Sequence, residues 1–327
     1  MDIIGIIHKN LASDIAQLNN IIITHLITKE TLVEEVGKHL LEVGGKRIRP
    51  LLTILTSKMF GYSGNDNIKL ASAVEFIHAA TLLHDDVVDD SAMRRFKPTA
   101  NVIWGSKSSI LVGDFLFSQS FRLMVASNSI KSMQSLAQAS AVISEGEVSQ
   151  LVKLKERRLI TIDEYHQIIM AKTAELFGAS CEVGAIIAGQ ADDICIIMRD
   201  FGRYLGNIFQ IIDDLFDYLG SSKQIGKNVG DDFLEGKVTL PLIFLYTKLE
   251  DAEQFKIDKM IQASERSLEE FEVVQKLMIK YEIEEQIIDY LSDIRQNANQ
   301  LLQQVTLQNI YKEHLAALLE FTLTRSY

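Results

Sequence analysis

Two stretches carry paired carboxylates at a repeated spacing: His84-Asp85-Asp86-Val87-Val88-Asp89-Asp90 and Gln210-Ile211-Ile212-Asp213-Asp214-Leu215-Phe216-Asp217. In each, an aspartate recurs at i and i+4, so a helix would stack Asp85 with Asp89 and Asp213 with Asp217. Like charges at that spacing repel, and both stretches are framed by apolar residues, where unpaired carboxylates are costly to bury. Hard oxygen ligands that leave coordination places open suit Mg²⁺ held together with a phosphate. One such motif is equally consistent with a solvated acidic helix face. Two of them fit a pair of helices facing each other across a cavity. Neither has the alternating ligands and central glycine of an EF-hand loop.

Cations form the complementary half. Gly44-Gly45-Lys46-Arg47-Ile48-Arg49-Pro50 sets three bases beside a Gly pair, and Arg94-Arg95 follows the first aspartate cluster. Lys172-Thr173, Gly226-Lys227-Asn228-Val229-Gly230-Asp231-Asp232 and Glu235-Gly236-Lys237 lie further on. Guanidinium forks suit bidentate phosphate binding, and lysine supplies a point charge. Singly, each base reads as a surface group; several on Gly-containing loops beside metal-type helices favour a phosphate role. His84 is expected to pack beside the first motif, since Mg²⁺ prefers oxygen. Tyr165 and His166 read as structural, and Phe115, Phe117 and Phe121 as core packing.

The elements that must position these groups are helices. Leu70, Ala73, Val74, Ile77 and Thr81 share a face at steps of three and four, as do Ile208, Ile211, Ile212 and Leu215. No β-branched alternation bounded by turn dipeptides argues for a sheet. Glycine and proline, 18 and 3 of 327 residues, are scarce, so turns are few and helices long. The expected fold is all-α: one domain over residues 1–327, a helical bundle around a deep central cavity. The polar stretch Asp251 to Arg266 reads as a loop or weak helix, hinging a C-terminal cap.

Lys and Arg number 33 against 44 Asp and Glu, a net charge of −11, the wrong sign for a nucleic-acid partner. Cys181 and Cys195 have no metal-ligand spacing and read as reduced packing thiols. No apolar run approaches the roughly 18 residues of a membrane span, and the start lacks the pattern of a secretory signal. A cytoplasmic protein is expected.

The ordered motifs GGKRIRP, VEFIHAATLLHDDVVDD, MRR, PTAN, Gly113-Asp114, KTAELF, FQIIDDLFDY and GKNVGDDFLEGKVTLPL, over roughly residues 40 to 245, resemble the trans (all-E) isoprenyl diphosphate synthases. Within that family the chain is most similar to the long-chain polyprenyl, octaprenyl-type branch that makes quinone side chains. The resemblance implies the isoprenoid synthase fold, a homodimer, and substrates that are an allylic diphosphate such as farnesyl diphosphate and isopentenyl diphosphate. Contact with a bilayer is at most transient.

The resemblance also implies roles. Asp85, Asp89 and Asp213 match positions that hold about three Mg²⁺ on the allylic diphosphate, and Asp86, Asp214 and Asp217 support that metal site. Arg94, Lys172, Lys227 and Lys237 match diphosphate contacts. Gly45, Lys46, Arg49, His78 and Arg95 match the isopentenyl diphosphate site, which needs no metal. Thr173 and Gln210 match polar groups near the reacting carbon, and Asp231 a position that orders water or a lysine.

Residues four and five before Asp85, Thr81 and Ala80, lie about one helical turn below the metal site and are small, so the channel toward Ile77 and Val74 stays open and the product is expected beyond about C20, near C40. Phe96 stands where the family usually has Gly after the arginine pair, at a point where backbone freedom counts. Other readings are a farnesyl or geranylgeranyl synthase, disfavoured by Ala80 and Thr81; a terpene cyclase, which needs no isopentenyl site; and a silent partner subunit, disfavoured by two intact aspartate sets.

Overall fold

The computed structural model describes residues 3–42, 45–220 and 229–324. In chain order the helices are α1 (Ile3–Asn10), α2 (Ala12–Leu26), α3 (Thr31–Glu42), α4 (Ile48–Met59), α5 (Asp66–Val88), α6 (Ala100–Trp104), α7 (Ser106–Ala126), α8 (Ile130–Glu156), α9 (Ile162–Ile169), α10 (Glu175–Ile187) and α11 (Asp192–Leu219). After residue 228 come α12 (Asp231–Leu234), α13 (Leu240–Tyr246), α14 (Asp251–Gln262), α15 (Leu268–Lys280), α16 (Ile283–Gln304) and α17 (Ile310–Thr324). The fold is all-α, and one buried cluster runs from Ile7 to Leu319.

The centre is made of α5, α10 and α11. Nearly every residue of α10 from Glu175 to Ala185 is buried, which marks a helix enclosed on all sides. It crosses α11 at close range because two glycines permit it. A Cβ on Gly202 would stand 2.4 Å from the Phe177 carbonyl oxygen, and one on Gly206 2.6 Å from the Ala174 Cα. That approach brings the start of α10 against the middle of α11, the turn before the second aspartate motif. α5 is packed along most of its length by α7 and meets α4 and α10 on its other sides.

Three features differ from the sequence reading. Asp251 to Arg266 takes the helical of its two readings but not the hinge: α14 occupies most of it, with Ile257 and Ile261 buried one turn apart. The Arg266 guanidinium then donates to the carbonyls of Phe233, Gly236, Lys237 and Met260, which fixes the segment to the core. Second, a small antiparallel ribbon exists: Met93–Arg94 (β1) pairs with Lys97–Pro98 (β2). Third, among the described residues α7 has the length and mean hydropathy, 1.2, of a membrane-crossing helix. Its partner is α5, however: Ser109 donates to the Leu83 carbonyl, and Gly113 lies against His84.

Candidate active site

The C-terminal turns of α5 and α11 carry the two aspartate motifs, and the helices sort each set in two. Asp85, Asp89 and Asp213 keep part of their surface exposed, whereas Asp86, Asp214 and Asp217 are buried. Each buried carboxylate has a protein partner. Asp86 takes two donors from Arg94, at 2.7 Å (Nη2) and 3.1 Å (Nε). Asp214 accepts Tyr165 Oη and Gln210 Nε2, both at 2.7 Å. Asp217 accepts the Asp232 backbone N–H at 3.0 Å. Burial, reinforced by Asp232, pushes the Asp214 carboxyl up to about 8, against the pull of its two donors.

Lysines bridge the cleft. Lys172 Nζ donates to Glu147 at 3.0 Å and stands 3.8 Å from Asp85. Burial pulls its pKa down, but Asp85 and Glu147 outweigh that and the net shift is upward, so it stays charged. Lys237 Nζ reaches Asp89 at 3.1 Å, Asp232 at 3.7 Å and Glu235 at 2.5 Å. Because Asp232 also binds Asp217 through its N–H, Lys237 and Asp232 link the first motif to the second. Asp85 is raised by burial, offset by Lys172 and reinforced by Asp89.

A local irregularity places Lys172 and Thr173. Met170–Ala174 is one wide π-turn between α9 and α10, a feature that often marks functional sites. It lets neighbouring residues serve different helices: Lys172 meets α5 and α8, while Thr173 Oγ1 donates to Gln210 Oε1 on α11 at 2.6 Å. Lys172, Thr173, Tyr165, Gln210, Asp214 and Lys237 line one cavity of about 100 Å³.

A second basic group gathers beside α4. Arg49 Nη1 lies 3.0 Å from His78 Nε2 and stacks over the Phe177 ring at 4.6 Å. Burial lowers the Arg49 guanidinium to about 10, and burial next to Arg49 and Arg95 holds His78 well below its usual range, so His78 is neutral and accepts from Arg49. The Arg95 guanidinium covers Gly45, where a Cβ would stand 2.7 Å from Nη1. Lys46 Nζ sits 4.8 Å above the Phe321 ring of α17. Thus Gly45, Arg49, His78 and Arg95 are brought together, and Lys46 is directed to α17. Lys227 lies outside the described residues. Of the chain-length set, Ala80 and Ile77 are buried on α5 and Thr81 is half-buried, donating to the His78 carbonyl. None of the three lines the cavity beside Lys172.

The polyprenyl synthetase family matches residues 30–278 of this chain. The chain belongs to it. Octaprenyl diphosphate synthase of Escherichia coli (strain K12) is 45% identical over 237 residues, 72% of this chain and 73% of that protein. A polyprenyl synthase from Caulobacter crescentus CB15, complexed with calcium and isoprenyl diphosphate, superposes with a TM-score of 0.94 at 39% identity, covering 99% of this chain and 98% of that one. A decaprenyl diphosphate synthase from Rhodobacter capsulatus gives 0.92 at 40% identity, with 99% of both chains covered. This polyprenyl synthetase is therefore a prenyltransferase enzyme with the all-α isoprenoid synthase fold.

Several groups at the synthetase site escaped the sequence reading. Glu147 on α8 holds Lys172, and no local pattern singles it out. Glu75 lies on α5 one turn before His78, at 3.9 Å from Arg47 Nε; burial raises its pKa, and Arg47, Arg49 and Arg95 oppose the shift. Its i, i+3 spacing to His78 was the available signal. Tyr165, read as structural, reaches the second aspartate motif. Of the other bland readings, His84 packs near the Ile110 carbonyl and Asp114, His166 meets Tyr290, both cysteines are free and buried, and Phe115 and Phe117 pack against the core, but Phe121 is 41% exposed and only meets Phe117 edge-on.

Proposed function

We propose that this polyprenyl synthetase is a long-chain all-trans polyprenyl diphosphate synthase that extends an allylic diphosphate with successive isopentenyl diphosphates to about C40, for quinone side chains. The observation that carries the reading is the cleft itself: two aspartate-bearing helix faces linked through Lys237 and Asp232, with Lys172 beside Asp85. Octaprenyl, nonaprenyl and heptaprenyl synthases among the relatives favour a long product.

The donor set fits Mg²⁺. Asp85, Asp89 and Asp213 offer hard oxygens from opposing helices, partly open to the cleft. Among the described residues no group of three or more such ligands converges on one point, so each ion would complete its shell with water and diphosphate oxygens, as Mg²⁺ prefers. Mg²⁺, when bound, supplies Lewis-acid stabilisation of charge on the leaving diphosphate.

The chain's own residues do the rest. As the allylic carbon–oxygen bond breaks, Lys172 and Lys237 face the negative charge growing on the departing diphosphate. Thr173 and Gln210 present oxygen atoms toward the electron-poor carbon. Gly45, Arg49, His78 and Arg95 hold the isopentenyl diphosphate, whose double bond attacks that carbon. The released diphosphate takes the proton that restores a double bond. No protein nucleophile is required.

Exposed apolar side chains on α6, α7 and α8, Val102, Leu111, Val125, Val148 and Val152 among them, support a homodimer. We place the enzyme in the cytoplasm, with transient bilayer contact when the product leaves. The test is purified full chain with Mg²⁺, labelled isopentenyl diphosphate and farnesyl diphosphate. An EDTA-sensitive product ladder ending near C40 is expected; no elongation from any allylic primer would overturn the reading.

A further inference from the structure

Tyr165 is 2% exposed and begins a chain of hydrogen bonds that ends at Thr173. Its hydroxyl donates to Asp214 Oδ2 at 2.7 Å, Gln210 Nε2 donates to Asp214 Oδ1 at 2.7 Å, and Thr173 Oγ1 donates to Gln210 Oε1 at 2.6 Å. In the structure both Asp214 oxygens accept, so the Gln210 amide turns its NH₂ group to Asp214 and its oxygen to Thr173. Thr173 has one proton, and Gln210 Oε1 takes it. The lone pairs of Thr173 Oγ1 are left for the cavity that it lines.

Every link but Thr173 lies off the π-turn, and the anchor is Tyr165 on α9. Without its hydroxyl, Asp214 Oδ2 would be buried without that partner, and a buried carboxyl group recovers a partner by turning. It could then compete for Gln210, whose amide would no longer be held in one sense. We propose that Tyr165 is a positioning residue for the condensation: through Asp214 and Gln210 it holds Thr173 with its oxygen lone pairs facing the carbon that becomes electron-poor. This rests on the function proposed above.

The experiment is a two-residue cycle on the full-length enzyme. Tyr165→Phe keeps the ring and removes the donor. Its kcat should fall about tenfold, the scale of a small misplacement at a reacting centre, with KM for both diphosphates within twofold and an unchanged circular dichroism melt. In a Thr173→Val background the same change should cost less than twofold, because the chain no longer ends in a hydroxyl. An unaltered kcat, or a full tenfold loss in both backgrounds, would overturn the proposal. If Tyr165→Phe does not fold, ring-fluorinated tyrosines at 165 preserve shape and vary donor strength; kcat should follow donor strength, and a flat response would refute the role. Wild-type protein that elongates nothing sinks the proposed function instead, so the two failures are separable.

Discussion

Asp86 and Arg94 close a two-point ion pair that fastens the end of α5 to ribbon strand β1, with Nη2 to Oδ1 at 2.7 Å. The pair is lopsided, since the Asp86 side chain is 2% exposed and that of Arg94 32%. Removing Arg94 strands a buried carboxylate, whereas removing the Asp86 charge leaves a guanidinium able to reach water. Arg94→Ala should therefore destabilise by about 3 kcal/mol and Asp86→Asn by about 1 kcal/mol. Urea unfolding of both variants checks this, and the reverse order would contradict it.

The ribbon turn holds Arg95 at φ 49° and Phe96 at φ 65°, both in the left-handed region. Two-residue turns of that kind favour glycine, the residue the family resemblance implies at Phe96. Phe96 is 63% exposed, so its ring contributes little burial. Phe96→Gly should stabilise the protein by about 1 kcal/mol, the cost of a non-glycine residue in that region. A raised melting temperature with unchanged activity is expected; a lowered one would show that the ring has a packing role.

His78 makes stability depend on pH. Its folded pKa is depressed by burial and by Arg49, Arg95 and Arg94, so as pH falls through about 6.5 the unfolded chain gains a proton that the folded one does not. The unfolded state is thereby favoured, and the stability present at high pH is lost toward low pH. The loss between pH 7.5 and 5.5 should reach about 1.4 kcal/mol. His78→Gln should flatten that part of the profile in urea titrations at the two pH values.

Ala80 is buried on α5 about one turn before Asp85. Ala80→Tyr should shift the main product toward C20 or below, with the ring blocking the path toward Ile77. Chromatography of the extracted polyprenols reads the outcome, and an unchanged ladder in a folded variant would remove Ala80 from the channel wall.

What the sequence determined by itself was local. An aspartate at i and i+4 on an apolar helix is a property of a few adjacent residues, and so are helical spacing and the scarcity of turn formers; they specify an all-α chain with two acidic helix faces. Tertiary structure decided which carboxylates open to the cleft, because burial depends on neighbours contributed by distant helices: Arg94 on Asp86, Tyr165 and Gln210 on Asp214, Asp232 on Asp217. It decided too that Glu147 serves Lys172 and that Lys46 turns to Phe321. Such pairings join residues far apart in the chain, and a single sequence carries no periodicity that reports them. The π-turn that aims Lys172 and Thr173 at different helices belongs to the same class, since the close packing of α8, α10 and α11 around it exists only once the chain has folded.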